Sequence, residues 1–188
     1  STYLFCTIVR HTSSPCSRAD VVAFLHQAVY SEPMNAGAII VAGGQGLRAG
    51  GSLPKQLQLL CGNAVFKWSA NVLATHSTIG QLVLVVPEGA KDHYISQLNG
   101  EAIVVSGGAT RTESVRNGLT ALTLSDSAPV LIHDAARPGL TEDVVDRLIT
   151  ALDDADGAAP ALRVVDALKR RTGSTLKTID REDLFRIQ

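Results

Sequence analysis

The chain has 188 residues, of which 45% are hydrophobic and 19% are charged, and this is enough apolar material for one core of ordinary size. Lys and Arg total 17 against 18 Asp and Glu, so the charge balance gives no reason to expect nucleic acid or an anionic membrane as a partner. The apolar stretches are far shorter than the roughly 20 residues of a membrane-spanning helix, which excludes a spanning protein.

Residues 1–33 differ in composition from the remainder of the chain. They are rich in Ser and Thr, and they hold Cys6 and Cys16. Together with Cys61, these cysteines fit neither a zinc site nor a disulfide framework, and this favours a reducing cytoplasm. We expect residues 1–33 to be an N-terminal extension of unknown role upstream of Met34, although residues 20–30 also fit one short amphipathic helix.

From Gly37 onward, short apolar runs alternate with helical patterns, which is typical of parallel βαβ units. The runs are almost continuously apolar, as strands covered on both faces require. The predicted strands are 38–42, 82–86, 103–105, 130–132 and 158–162, and the predicted helices are 64–76, 90–98, 111–124 and 142–152. This order predicts an α/β fold, with a doubly wound and mostly parallel sheet of Rossmann-like type.

Residues 163–183 break this alternation. Two polar runs flank the sequence RTGS at positions 171–174, which predicts a hairpin turn. A ribbon of this kind cannot bury a core of its own. We therefore expect a protruding β-arm that packs on a second subunit.

A glycine-rich loop follows the first predicted strand of the domain. Residues 43–56 read GGQGLRAGGSLPKQ, and the carboxyl end of a strand is where open α/β sheets bind ligands. Glycines allow backbone N–H groups to approach an anion closely, while Arg48 and Lys55 supply positive charge. The loop therefore predicts a phosphate site.

Two familiar phosphate-binding motifs do not fit this loop. A dinucleotide fingerprint starting at Gly44 should lead straight into a helix, but Gly50, Gly51 and Pro54 interrupt it. A Walker loop starting at Gly46 would place Ser52 where that motif requires lysine. What remains is a longer loop in which a glycine cluster leads to an arginine and then to Pro-Lys-Gln.

Two further segments follow later strands. Residues 106–115 read SGGATRTESV, which alone equally fits a helix start with Thr110 as N-cap and Glu113 completing a capping box. Residues 132–138 read IHDAARP, and a strand end that carries Asp134 and Arg137 should stay near solvent or ligand. A plain surface ion pair is the alternative for these two charges.

Taken in order, the three segments closely resemble the 2-C-methyl-D-erythritol 4-phosphate cytidylyltransferases of non-mevalonate isoprenoid synthesis. The resemblance covers about 35–188, and it includes the segments VDALKR at 165–170 and DR at 180–181. It implies a nucleotidyltransferase with the nucleotide-diphospho-sugar transferase type of fold. The implied reaction transfers CMP from CTP to methylerythritol phosphate and releases pyrophosphate, in the cytoplasm.

The resemblance also implies a role for particular residues. Arg48 and Lys55 would be catalytic and stabilise the α-phosphorus during in-line attack, and removing one such donor can cost about 10²-fold to 10³-fold in rate. Acceptor binding would fall to Asp134, Arg137 and Arg181, with Arg181 reaching a neighbouring subunit's site. The residues expected to bind CTP are Ala42, Gly43, Gly44, Gly46, Gly108, Arg111 and Ser114.

The family resemblance implies Mg²⁺ as cofactor and a homodimer formed through the arm. The metal would be held mainly by the CTP phosphates, with Asp134 as a further possible ligand. Two departures stand out. Ala167 replaces the threonine that usually follows the arm aspartate, and the family domain continues beyond Gln188 with helices and a lysine-bearing motif. We expect a cytidylyltransferase domain at 34–188 without its C-terminal part. Whether a fused cyclodiphosphate synthase domain follows it stays an open question.

Other functions remain open at this point. The nearest is another nucleotidyltransferase that acts on ribitol 5-phosphate or a sugar 1-phosphate, although Ala135 and Ala136 favour the isoprenoid enzymes. A nucleotide-binding relative without catalytic activity is a second, motivated by Ala167. A nicotinamide oxidoreductase is least favoured, because Pro54 disrupts the fingerprint helix and no acidic residue clearly ends the second strand.

Overall fold

The computed structural model describes residues 35–43, 53–98, 102–125 and 127–187, and the backbone of residues 6–10. The strands in these residues are β1 (Cys6–Arg10), β2 (Ala36–Val41), β3 (Leu59–Leu60), β4 (Asn63–Ala64), β5 (Ile79–Val86), β6 (Ile103–Ser106), β7 (Pro129–Asp134), β8 (Gly157–Ala158), β9 (Ala161–Arg163), β10 (Leu168–Thr172), β11 (Thr175–Ile179) and β12 (Phe185–Ile187). The helices are α1 (Val65–Thr75), α2 (Lys91–Ile95), α3 (Arg111–Ala121) and α4 (Glu142–Ala151), with a 3-10 turn at Lys55–Leu57.

A six-stranded sheet in the order β6-β5-β2-β7-β1-β8 forms the centre of the fold. The four strands from β6 to β7 are parallel to one another, whereas β1 pairs antiparallel with both β7 and β8. The predicted α/β class and mostly parallel sheet are therefore confirmed. Parallel strands end at the same edge, so the loops after β2, β6 and β7 converge there.

Side chains alternate between the two faces of this sheet, although the strands are almost continuously apolar. On β5, Leu82 and Leu84 point to the face that packs with α1 and α4, and Val83 and Val85 point to the face packed by α3. Val83 and Leu84 are almost completely buried. Burial of one such side chain contributes about 1.5–3 kcal/mol to folding, so these two layers hold the strands in register.

One predicted strand, 158–162, is wrong as a single element. It is divided into β8, which joins the main sheet, and β9, which pairs with β12. Pro160 lies between them. Proline has no N–H to donate to a strand ladder and its ring fixes φ, so the chain leaves one sheet here and enters another.

The predicted helix 111–124 also ends earlier, because α3 stops at Ala121. Just beyond it, the side chain of Gln81 donates to the carbonyl of Thr123 at 2.7 Å and accepts from the Thr123 N–H at 2.8 Å. The glutamine amide thus pairs with the backbone as a neighbouring strand would. Helix α2 is likewise shorter than the predicted 90–98.

The N-terminal extension was expected to have no readable role, but residues 6–10 form β1 inside the main sheet. Its register places Cys6 opposite His133 and Arg10 opposite Pro129. The short helix considered for 20–30 lies outside the described residues.

The predicted arm contains the hairpin β10–β11, whose strands pair only with each other in the described part of the chain. Gly173 lies in the turn with φ of 62°, a conformation that residues with a side chain rarely adopt. Exposed apolar side chains surround this region, with Val165 at 69% and Leu176 at 63%. The hairpin therefore has little apolar cover within its own chain.

Candidate functional site

A cavity of about 680 Å³ lies at the carboxyl edge of the parallel strands. It is lined by the end of β2, the turn that leads into α3 and the residues after β7, together with Gln56. A volume of this size is within the range of small-ligand sites. The strand ends are held together there, because Ala42 N–H donates to Val85 at 2.7 Å and Ala135 N–H donates to Val41 at 3.0 Å.

Several of the predicted site residues meet at this cavity. Lys55 is exposed in the neighbouring 3-10 turn and does not line it, and Arg181 does not line it either. Gly44, Gly46 and Arg48 lie outside the described residues. The predicted residues that line the cavity are Ala42, Gly43, Gly108, Arg111, Ser114, Asp134 and Arg137.

A cluster of three charges lies in the cavity wall. Arg111 donates to Asp134 Oδ1 through Nε at 3.2 Å and Nη2 at 3.0 Å, and Arg137 Nε lies 3.6 Å from Asp134 Oδ2. The side chain of Arg111 is 52% exposed, and those of Asp134 and Arg137 are each 29% exposed. Exposed ion pairs are worth about 0–1 kcal/mol, so the half-exposed Arg111 can exchange its contact with Asp134 for one with an anionic ligand at little cost.

The turn before α3 is built around Thr110 and Ser114. Thr110 Oγ1 accepts from Glu113 N–H at 3.1 Å, and Glu113 Oε2 accepts from Thr110 N–H at 3.2 Å, which confirms the capping box. Ser114 Oγ donates to the Thr110 carbonyl at 3.0 Å and accepts from the Gly108 N–H at 3.1 Å. A Cβ at Gly108 would lie 2.3 Å from Glu113 Cβ, so only glycine fits there.

These bonds bear on the role expected for Ser114. Its hydroxyl fastens the turn to the helix and is almost completely buried. The backbone of Gly108 is thereby held at the cavity wall in one conformation. The geometry therefore gives Ser114 a structural task, in addition to the contact with CTP that the sequence predicts.

His133 supports the site from the segment IHDAARP, in which the sequence pattern alone predicts no role for it. It is fully buried at the end of β7, and its Nε2 lies 2.9 Å from the carbonyl oxygen of Arg137. Because a carbonyl can only accept, Nε2 carries the proton in this contact. The imidazole therefore holds the turn that presents Asp134 and Arg137 to the cavity.

Gln56 directly follows Lys55 but is not among the residues that the sequence predicts to bind CTP. It is only 5% exposed and its amide donates to the carbonyl of Ala42 at 2.8 Å and to the hydroxyl of Tyr94 at 3.2 Å. Burial raises the pKa of Tyr94, and the hydrogen bond from Gln56 offsets part of that rise. Its position directly after Pro54 and Lys55 is the sequence signal that could have identified Gln56.

Among the described residues that line the cavity, Asp134 is the one carboxylate. No group of three or more His, Cys, Asp or Glu in the described part of the chain is arranged to hold a metal. A divalent ion at this site would therefore take most of its ligands from phosphate oxygens and water.

Comparison with known proteins identifies the family. The family model for 2-C-methyl-D-erythritol 4-phosphate cytidylyltransferase (IspD) matches residues 36–188. The chain belongs to this family. The chain is 44% identical over 153 residues to the bifunctional enzyme IspD/IspF of Hyphomonas neptunium, which covers 80% of this chain and 40% of that protein.

A second relative is the 2-C-methyl-D-erythritol 4-phosphate cytidylyltransferase of Roseobacter denitrificans, 44% identical over 82% of this chain and 70% of its own length. Among solved structures, the 4-diphosphocytidyl-2C-methyl-D-erythritol synthase of Anaerococcus prevotii aligns with a TM-score of 0.66 and 25% identity, over 83% of this chain and 68% of that one. The chain thus spans about 40% of the bifunctional relatives and about 70% of the single-function IspD relatives.

Proposed function

We propose that the protein is a cytidylyltransferase that transfers CMP from CTP to 2-C-methyl-D-erythritol 4-phosphate and releases pyrophosphate. The cavity at the carboxyl edge of the sheet carries this proposal, because Arg111, Asp134 and Arg137 line it within a chain that belongs to the IspD family. The name of the R. denitrificans relative states the same activity.

The reaction is an in-line displacement at phosphorus. An oxygen of the acceptor phosphate forms a bond to the α-phosphorus of CTP, the bond from that phosphorus to the β-bridging oxygen breaks, and pyrophosphate leaves with the electron pair. The loop at 42–55 would hold the triphosphate. Lys55 and Arg48 would stabilise the negative charge that develops on the α-phosphoryl group and on the leaving group, and such transfers depend mainly on positioning and charge.

Recognition of the base would fall to the turn before α3. Support comes from the closely held Gly108 backbone, which the Ser114 hydroxyl keeps at the cavity wall. Fixed backbone groups can form hydrogen bonds with the edge of cytosine, whereas a purine is larger and would have to displace the turn. Gly43 lies against the same hydroxyl, since a Cβ there would be 3.2 Å from Ser114 Oγ.

Magnesium fits this donor set as an ion bound mainly by the substrate. Asp134 would be its protein ligand, and the remaining ligands would be phosphate oxygens and water. When bound, the ion would neutralise charge on the triphosphate and assist the departure of pyrophosphate. Arg111 and Arg137 would then turn from Asp134 toward phosphate groups.

A homodimer formed through the arm is part of the proposal. The exposed apolar side chains near the hairpin, including Val165, Leu176 and Phe185, support it. Arg181 follows β11, and its guanidinium donates to the Val165 carbonyl, so it lies at the base of the arm. From that position it would contact the acceptor phosphate in the partner's cavity. We place this activity in the cytoplasm.

A second acceptor must be tested as well, because Ala167 removes a hydroxyl that family members usually carry at this point of the arm. The loss leaves the identity of the polyol phosphate open, and ribitol 5-phosphate is the nearest competing acceptor. No helix in the described part of the chain has the length and apolar character needed to cross a membrane.

The test is magnesium-dependent release of pyrophosphate from CTP by the full-length protein. Methylerythritol phosphate and ribitol 5-phosphate are supplied separately, and Lys55→Ala is the matched inactive variant. We expect release with methylerythritol phosphate and a loss of about 10²-fold or more in the variant. Pyrophosphate release with ribitol 5-phosphate alone would show that ribitol 5-phosphate is the acceptor. If CTP binds but neither acceptor leads to pyrophosphate release, the result would favour a non-catalytic relative.

A further inference from the structure

The side chain of Gln56 joins the two ends of the glycine-rich loop. The loop leaves β2 at Ala42 and returns to the described fold just before Lys55 and Gln56. The Gln56 amide donates to the Ala42 carbonyl at 2.8 Å across 14 positions of sequence. Ala42 is also held by its own N–H, which donates to Val85 in β5. Both ends of the loop are therefore fixed to the central sheet at one point.

Tyr94 holds Gln56 from the other side. Its hydroxyl accepts from the Gln56 amide at 3.2 Å, and its ring is only 1% exposed. The ring packs against Phe66 with a centroid distance of 5.1 Å. Since Phe66 belongs to α1 and Tyr94 to α2, the glutamine amide is held between the sheet edge and the hydrophobic core.

A short rigid turn transmits this anchoring to Lys55. Residues Lys55–Leu57 form a 3-10 turn, in which Leu57 N–H donates to Pro54 at 2.9 Å and Gln58 N–H donates to Lys55 at 3.2 Å. The Lys55 side chain is exposed. Its backbone directly precedes Gln56, whose amide is bonded to Ala42 and Tyr94, so the starting point of the lysine side chain is fixed.

We infer that Gln56 is a positioning residue, with Tyr94 as its support, that sets the location of Lys55 relative to the end of β2 at Ala42. This inference rests on the proposed function, because it assigns Gln56 a role in transferring CMP. A lysine that stabilises a transition state must lie where charge develops, and a misplacement of about 1 Å can reduce the rate by about 10²-fold. Gln56 also lines the cavity, but we assign its effect to the position of Lys55 and not to contact with a reacting atom.

The first test compares Gln56→Met with wild type in the full-length protein. Methionine keeps most of the buried volume and removes the hydrogen bonds that Gln56 donates to Ala42 and Tyr94. We expect kcat to fall by about 10-fold to 10²-fold while the KM for CTP changes little, because the loss concerns the transition state more than the ground state. Gln58→Ala is the matched control, since Gln58 is exposed in the same turn.

A double variant separates positioning from general damage. If Gln56 works through Lys55, then Lys55→Ala combined with Gln56→Met should lose no more activity than Lys55→Ala alone. Multiplicative losses in the double variant would overturn the inference. Equal losses of kcat in Gln56→Met and Gln58→Ala would overturn it too.

Hydrogen exchange provides a readout that does not depend on activity. In Gln56→Met, the amides of Leu57 and Gln58 should exchange about fivefold faster or more, because the turn loses its tether to Ala42. Tyr94→Phe should give a smaller increase, since it leaves the bond to Ala42 intact. If the Leu57 and Gln58 amides exchange at the wild-type rate in Gln56→Met, the inference that Gln56 anchors the turn is wrong even if the enzyme is active. Faster exchange in a protein that releases no pyrophosphate would retain the anchoring and reject the proposed function.

Discussion

Substitution of Gly118 by alanine probes the contact that places α3 on the sheet. Gly118 is buried in the middle of α3, and a Cβ added there would lie 2.8 Å from Ile39 Cγ2 and 3.0 Å from Val85 Cγ2. Carbon atoms pack at about 3.5–4.0 Å, so the helix would have to move outward by about 0.5–1 Å. Both neighbours are fully buried branched side chains in central strands, and they have little room to yield.

Two opposing terms set the size of the effect. Overpacking of a tight core costs about 1–3 kcal/mol, whereas replacing glycine by alanine inside a helix contributes about 0.5–1 kcal/mol. We therefore expect Gly118→Ala to lower the free energy of unfolding by about 1–2 kcal/mol in urea titrations followed by circular dichroism. Arg116→Ala, on the exposed face of the same helix, should change it by less than about 0.5 kcal/mol.

The same substitution should affect the site. Helix α3 carries Arg111 and Ser114 into the cavity wall, so an outward movement of the helix displaces both. We expect a several-fold loss of pyrophosphate release in Gly118→Ala under conditions where the protein remains folded. A variant clearly more stable than wild type would refute the close approach of α3 to β2 and β5, because no overpacking would then oppose the gain in helix propensity.

Three further predictions concern a helix cap, a buried tyrosine and an exposed side chain of the arm. Thr110→Ala removes the capping box and should lower the free energy of unfolding by about 1 kcal/mol in the same urea titration. Burial raises the pKa of Tyr94 above its unfolded value of about 10. The stability that the neutral phenol contributes is therefore complete below about pH 10 and is lost as pH rises through the folded pKa. We expect the free energy of unfolding to decline less steeply between pH 9 and 11 in Tyr94→Phe than in wild type. Leu176→Glu places a charge on the exposed arm and should shift the protein toward monomer in sedimentation velocity, and a dimer unchanged by it would contradict the arm interface.

The central strands could be predicted because buried parallel strands consist almost wholly of apolar residues. The strands β2, β5, β6 and β7 all overlap predicted runs, and seven of the residues selected for the site line the cavity at their carboxyl ends. Composition is sufficient for β2, β5 and β7, since most of their side chains are buried and few other structures tolerate such apolar runs.

Other features depend on long-range contacts that local sequence does not reveal. The strand β1 joins the sheet by antiparallel pairing with β7 and β8, more than 100 positions away, and nothing in its own residues indicates that partner. Pro160 gave a local sign of a break that the predicted strand 158–162 overlooked. The burial of Gln56 depends on Tyr94, which follows it by 38 positions.

The most direct measurement of the proposed reaction traces oxygen atoms. Methylerythritol phosphate labelled with ¹⁸O in its phosphate group is incubated with CTP, Mg²⁺ and the full-length protein, and the products are analysed by ³¹P nuclear magnetic resonance and mass spectrometry. Attack of the acceptor on the α-phosphorus predicts a diphosphocytidyl methylerythritol product in which the oxygen that bridges the two phosphorus atoms carries ¹⁸O. The pyrophosphate released should be unlabelled. Label in the pyrophosphate, or no cytidylylated product while CTP remains bound, would contradict the account.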